Sequence, residues 1–129
     1  MSSRDINDLT YELQSAYVEL RQRYTQEYPN RDLLLLCTFR PLREQAALYR
    51  VGRSRKGRVI TNCDGVCMRS KHNYYPARAF DVGVLDNGKY RTDAAAYTPL
   101  GKIAKDLDIV WGGNRKKLKD FGHFETKQP

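Results

Sequence analysis

Three residues in this chain can hold a metal ion. His72 and His123 are its two histidines, and Asp81 sits inside an otherwise apolar run, AFDVGV at 79–84. A lone carboxylate in a buried strand is costly unless its charge is met. Two imidazoles and a carboxylate form the ligand set of many catalytic zinc sites, which leave a fourth position open. Zinc lowers the pKa of water to roughly 7 and polarises a carbonyl. Such chemistry also needs a nearby carboxylate to move a proton from the water to the leaving group. Asp120 is one candidate. Glu125 is another, since positions 123 and 125 of a strand share a face. Spacing alone leaves other readings open: a core histidine, a surface histidine and an unrelated buried aspartate.

These residues need elements to position them. Residues 5–27 read as a helix, with Leu9, Leu13, Ala16, Tyr17, Leu20 and Tyr24 forming one apolar stripe. Asp5 or Asn7 is the expected cap. DLLLLCTF at 32–39 reads as a buried strand. Pro41 should open a second helix, stopped by Gly52. Residues 52–69 are basic and glycine-bearing, a loop long enough to suspect function. AFDVGV reads as a strand, DNG at 86–88 as a hairpin turn, and KYR as the returning strand. A third helix is expected to start near Thr98, with Pro99 in its first turn. IVWGG at 109–113 and GHFE at 122–125 complete the strands. Helices and short strands are segregated, so the expected class is α+β, a small, mostly antiparallel sheet flanked by helices.

The 129 residues suit a single domain, 1–129, large enough to bury a core without staples. Three cysteines, Cys37, Cys63 and Cys67, are an odd number and argue against a complete disulfide framework. No run approaches the ~18 apolar residues of a membrane span. The start, MSSRDINDLTYELQ, is polar and does not read as a signal peptide. A net charge of +8 and a pI of about 9.5 favour anionic partners. The basic stretch VGRSRKGR at 51–58 could meet phosphates, but attraction to an anionic cell envelope suits it better than nucleic acid as a partner.

Three motifs carry a family resemblance. SKHNYYPARAFDV resembles the S-x-H-(loop)-A-x-D motif of the zinc D-Ala-D-Ala carboxypeptidase and L-alanyl-D-glutamate endopeptidase family. TFRPLREQAALYRVGRS is similar to that family's R-(S/T)-x-x-x-Q-x-x-L-Y segment. WGGNRKKLKDFGHFE resembles its W-G-G…D-x-x-H-F-(E/Q) ending. The three occur in order and span residues 38–125. The resemblance implies the hedgehog/DD-peptidase fold and zinc bound by His72, Asp81 and His123. It implies Asp120 as catalytic acid/base and Arg40 as the cation that steadies the substrate carbonyl and oxyanion. It places Gln45 near the site and makes Ser70 and Trp111 candidates for substrate contact. The implied function is hydrolysis of peptidoglycan stem peptides by a phage endolysin. That enzyme would be made in the host cytoplasm, released by a holin-type pore and active as a monomer on the L-Ala–D-Glu bond. D-Ala-D-Ala carboxypeptidase activity is the alternative. A non-catalytic zinc module is the alternative of another class, because fold does not fix function.

The sequence departs from the family pattern twice. Asp81 follows His72 by nine residues where seven is usual, with Pro76 in the turn. A longer loop can still close on one metal, and Tyr74 and Tyr75 are then expected to reshape the substrate cleft. Arg115 stands where an aromatic is usual. A separate structural zinc site could be built from Cys63, Cys67, Cys37 and His72, although C-x3-C differs from the usual knuckle spacing.

Overall fold

The computed structural model describes residues 1–66 and 68–127. Thr10 opens α1 (Tyr11–Glu27), its side-chain oxygen accepting from the Leu13 N–H at 3.3 Å. The apolar stripe is the buried face: Leu13, Ala16, Tyr17, Leu20 and Tyr24. The helix starts later than the pattern implied. Asp5 caps a separate 3-10 turn, Ile6–Asp8, and Leu9 then runs extended to bridge Ala77.

Strand β1 (Arg31–Cys37) ends with an irregularity between Leu35 and Cys37, two residues short of expectation. Thr38 and Phe39 pair with Ser3 instead, through Thr38 N to Ser3 O at 2.7 Å and Ser3 N to Phe39 O at 2.8 Å. Pro41 caps α2 (Leu42–Arg50) from just outside, where its missing N–H is harmless. Gly52 follows at φ +81°, a backbone conformation suited to glycine. Strands β2 (Ala79–Asp86) and β3 (Lys89–Arg91) form the expected hairpin, with Asn87 and Gly88 at φ 51° and 80°. Two positive values are what a type I′ turn requires.

Helix α3 (Ala94–Asp106) corrects the expected start at Thr98. Asp93 is its cap and Pro99 lies inside it. An interior proline costs about 3 kcal/mol. The helix is held by its buried face, Ala96, Tyr97, Leu100, Ile103 and Ala104. Tyr97 anchors it further, accepting from Val84 N at 3.0 Å and donating to Arg91 O at 2.7 Å. The Thr98 hydroxyl donates to Ala94 O at 3.0 Å beside the proline.

Strands β4 (Val110–Trp111) and β5 (His123–Glu125) complete a sheet of order β1-β2-β5-β4, with β3 added to β2 and every pairing antiparallel. The α+β expectation therefore holds. Phe80, Val82 and Val84 alternate onto the face that joins the core with α1 and α3. Phe80 stacks on Phe124 at 5.3 Å and meets Tyr17 edge-on at 5.7 Å. Asp81 lies between Phe80 and Val82, so it points to the opposite face. Among the described residues no helix is long and apolar enough to cross a membrane.

Candidate metal centre

The register of the sheet builds one side of the site. Cys37 on β1 pairs with Asp81 on β2, and Asp81 pairs with His123 on β5. Directly opposed residues project to one face, so thiol, carboxylate and imidazole form a row. His72 arrives above the row on a 3-10 turn, Lys71–Asn73. Ser70 fixes that turn with a capping box: its Oγ accepts from His72 N at 3.3 Å, and its own N–H donates to Asn73 Oδ1 at 2.8 Å. The turn is also tied to Arg40, by Arg40 N to His72 O at 2.8 Å and Asn73 Nδ2 to Arg40 O at 3.0 Å.

Both imidazoles address a single oxygen. Asp81 Oδ1 lies 3.1 Å from His72 Nε2 and 3.0 Å from His123 Nδ1. The opposite nitrogens are committed elsewhere. His72 Nδ1–H donates to Thr38 O at 2.7 Å, and His123 Nε2–H donates to Glu125 Oε1 at 2.8 Å. Once its proton toward Asp81 is lost, each ring would turn a lone pair to that side, which is the tautomer a metal ligand needs.

The electrostatics point the same way. Burial opposes charge on His72, but Asp81 outweighs it and holds the imidazole pKa up at about 10. Burial likewise opposes the raised pKa of His123, which Asp81 and Glu125 sustain. Burial works against ionised Asp81 too, yet His72 and His123 keep its carboxyl well below the usual carboxylate range. Without a cation, protons balance this buried carboxylate. A divalent ion meets the same demand while displacing them.

Two overlapping groups of donors, both containing Asp81, are close enough to meet one ion, one with His72 and the other with His123. Ligand atoms of Asp81, Asp120 and His123 lie within 4.8 Å of one another, as do those of Cys37, His72 and Asp81. Cys37 Sγ, however, sits 3.7 Å from His72 Nδ1, the nitrogen already given to Thr38. The thiol thus lies behind the ring, away from the lone pair. Cys63 is in neither group, and Cys67 lies outside the described residues. The sequence-based alternative of a structural zinc site built on Cys37, Cys63, Cys67 and His72 gains no support here.

A cavity of about 270 Å³ opens over His72, Asp81 and His123 and is also lined by Arg40, Ser70, Arg115 and Asp120. A second, of about 460 Å³, shares Asp81 and Asp120 with it. The ligand set therefore sits where two depressions meet. A larger groove, about 670 Å³, runs between α1 and the β2–β3 hairpin and touches none of these residues.

Asp120 is exposed, its Oδ1 accepting from Gly122 N at 3.3 Å. Glu125, by contrast, is fully engaged. Burial pushes its carboxyl up, but His123 and Lys71 hold it down at about 2. Lys71 Nζ lies 2.9 Å from Oε2, and Arg115 reaches Oε1 at 3.1 Å. Arg40 extends to within 3.6 Å of Asp81 Oδ2 and donates to Gln45 Oε1 at 2.9 Å.

Several residues expected to contact substrate have other partners in this structure. Gln45 is completely buried and donates to Cys63 O at 2.9 Å, so it positions Arg40 and the 61–63 segment. Trp111 lines neither site cavity. It donates to Phe121 O at 2.7 Å and is wedged against Gly101 and Gly113. Tyr74 and Tyr75 also line neither cavity. Arg78 covers the Tyr74 ring at 4.2 Å. Tyr75 donates to Asp8 Oδ1 at 3.1 Å and meets Phe39 edge-on. Their loop is pinned to the N-terminal segment by Ala77 N to Asp8 O and Thr10 N to Ala77 O. The extra residues between His72 and Asp81 dock onto that segment and leave the cleft alone. Ser70 keeps its place at the cavity. The wall comes instead from Ile60, Thr61 and Cys63, in the basic loop.

Comparison with known proteins agrees with this fold. Residues 65–126, which hold all three proposed ligands, match the family model described as D-alanyl-D-alanine carboxypeptidase. The resemblance carried by the three motifs is borne out: the chain is a relative of this peptidase family. Peptidoglycan L-alanyl-D-glutamate endopeptidase CwlK of Bacillus subtilis (strain 168) is 32% identical over 102 residues, covering 73% of this chain and 60% of CwlK. The chain thus spans about three fifths of that curated relative. The crystal structure of the Serratia marcescens L-Ala D-Glu endopeptidase ChiX shares the fold at a TM-score of 0.67 and 18% identity, over 98% of this chain and 89% of ChiX.

Proposed function

We propose that this chain is a zinc-dependent peptidase of peptidoglycan stem peptides, acting on the L-Ala–D-Glu bond. The observation that carries the reading is the single Asp81 oxygen shared by two imidazoles whose far nitrogens are already anchored. Zinc held by His72, Asp81 and His123 would supply Lewis acidity toward water and the substrate carbonyl. Asp120, free at the lip, takes the proton from the attacking water and delivers it to the leaving amine nitrogen. Arg40, braced by Gln45, faces the cavity where negative charge develops on the carbonyl oxygen. Thr38 and Glu125 hold the two rings in the ligand tautomer. Asp120 and Arg40 beside one ligand set favour catalysis over a non-catalytic zinc module.

The names of CwlK and ChiX favour the endopeptidase over D-Ala-D-Ala carboxypeptidase activity. The +8 net charge suits approach to an anionic envelope. The proposal extends to a phage endolysin role, with a monomer released from the host cytoplasm through a holin-type pore. Digestion of purified muropeptides, read by mass spectrometry with and without a chelator, tests the activity. Cleavage after L-Ala that stops on chelation is expected. Release of one terminal alanine would replace the endopeptidase with the carboxypeptidase. No cleavage with zinc present would remove the peptidase reading.

A further inference from the structure

Arg115 lines the same cavity as the ligand set, from the segment between Trp111 and β5. Its side chain is 40% exposed and reaches Glu125 Oε1 with one N–H, at 3.1 Å. Glu125 does not depend on that contact. Lys71 already neutralises its Oε2 at 2.9 Å, and His123 donates to Oε1 at 2.8 Å. Arg115 is thus a surplus cation at a cavity wall. Among the described residues, no other guanidinium N–H of Arg115 has a partner. Arg40 is the other arginine of this cavity, and Asp81 and Asp120 are its carboxylates. The two arginines balance the two carboxylates, so a divalent ion on the ligand set leaves the cavity cationic.

We infer that Arg115 is a specificity residue that binds a free carboxylate of the substrate close to the scissile bond. A planar guanidinium with unused N–H groups matches a carboxylate through paired hydrogen bonds. A carboxamide has neither the charge nor the second acceptor. The inference rests on the peptidase reading and deepens it. In a stem peptide, D-Glu continues through one carboxyl group and carries the other beside the bond, either free or amidated. The structure assigns this protein to the free acid.

The test is steady-state cleavage of two synthetic stem peptides that differ only in that group, carboxylate or carboxamide, by the metal-loaded protein. The unsubstituted protein should favour the carboxylate by about ten- to a hundredfold in KM, the range of one charged hydrogen-bonded contact. Arg115→Gln should raise KM for the carboxylate peptide to that of the carboxamide and leave kcat nearly unchanged. Arg115→Lys should recover part of the preference. Equal losses on both peptides in Arg115→Gln would mean that Arg115 only braces Glu125, and would overturn the inference. So would an unsubstituted protein with no preference. Calorimetric binding of a non-cleavable pair with the same two groups separates the two readings. If neither peptide is cut, the peptidase reading fails, and a carboxylate preference in binding that Arg115→Gln abolishes still upholds the subsite. Equal binding, or none, overturns it.

Discussion

Glu125 accepts a hydrogen bond from the side chain of His123, two residues before it on the same strand, at 2.8 Å. Side chains two apart on a strand share a face. Here that periodicity turns a carboxylate into the support of a proposed ligand. The contact fixes which His123 nitrogen faces Asp81, and it occupies the one acid that could have rivalled Asp120.

Replacing Glu125 with Ala should therefore weaken metal binding by about 10- to 100-fold, the usual effect of losing a ligand's hydrogen-bond partner. Isothermal titration of the metal-free protein with zinc measures it. Unchanged affinity would show that Lys71 and Arg115 are the true reason for Glu125.

Asp120→Ala should behave in the opposite way. Zinc should bind as before, because His72, Asp81 and His123 remain. Turnover should fall by about 10²- to 10⁴-fold, the contribution of a positioned acid/base. Metal content by atomic absorption alongside muropeptide turnover separates the two. Full activity would remove Asp120 from the mechanism.

The pH dependence has two opposed parts. In the metal-free protein the His72 pKa is raised from 6.5 to about 10 by Asp81. Its stabilising effect is complete below about pH 6.5 and is lost as pH rises through 10. Metal binding must displace that proton, so zinc affinity should fall as pH falls. Melting of the metal-free protein at pH 6 and pH 9.5 should show lower stability at the higher value. Zinc titrations at pH 7 in buffers of different ionisation enthalpy should reveal proton release. A titration independent of buffer would contradict the charge balance drawn for Asp81.

Gly101→Ala reverses an ordinary rule. Alanine in a helix is usually favoured over glycine by up to about 1 kcal/mol. At Gly101 the added carbon would lie 2.3 Å from Cε3 of Trp111, whose ring is buried. Overpacking of this kind costs about 1–3 kcal/mol. Denaturant unfolding should show a net loss, whereas a gain would mean that Trp111 can move.

The meeting of His72, Asp81 and His123 was legible because each residue is chemically out of place: a carboxylate in an apolar run and the two histidines of the whole chain. The hairpin was legible from Asn87-Gly88, since few residue pairs accept two positive φ values. Cys37 was not. It ends a strand whose residues are apolar on both sides, so no alternation showed which face it would join. The start of α3 was hidden by Pro99, whose local preference for a first turn is overridden by Tyr97 and the buried face around it. The direction of Tyr74 and Tyr75 was hidden as well. It depends on Asp8 and Phe39, far away in sequence, and loop length alone carries no sign of which side a loop will dock on.

The in-line pairing of Cys37, Asp81 and His123 ties chemistry to assembly. Were β2 to pair with its neighbours one residue out of step, Asp81 would turn into the aromatic layer and Phe80 would take its place at the site. Stacking of Phe80 on Phe124 and gathering of the ligands are thus two sides of one choice of register. If an ion is held there, only a chain that has already paired its strands correctly would bind it tightly, so ion binding would report on correct folding.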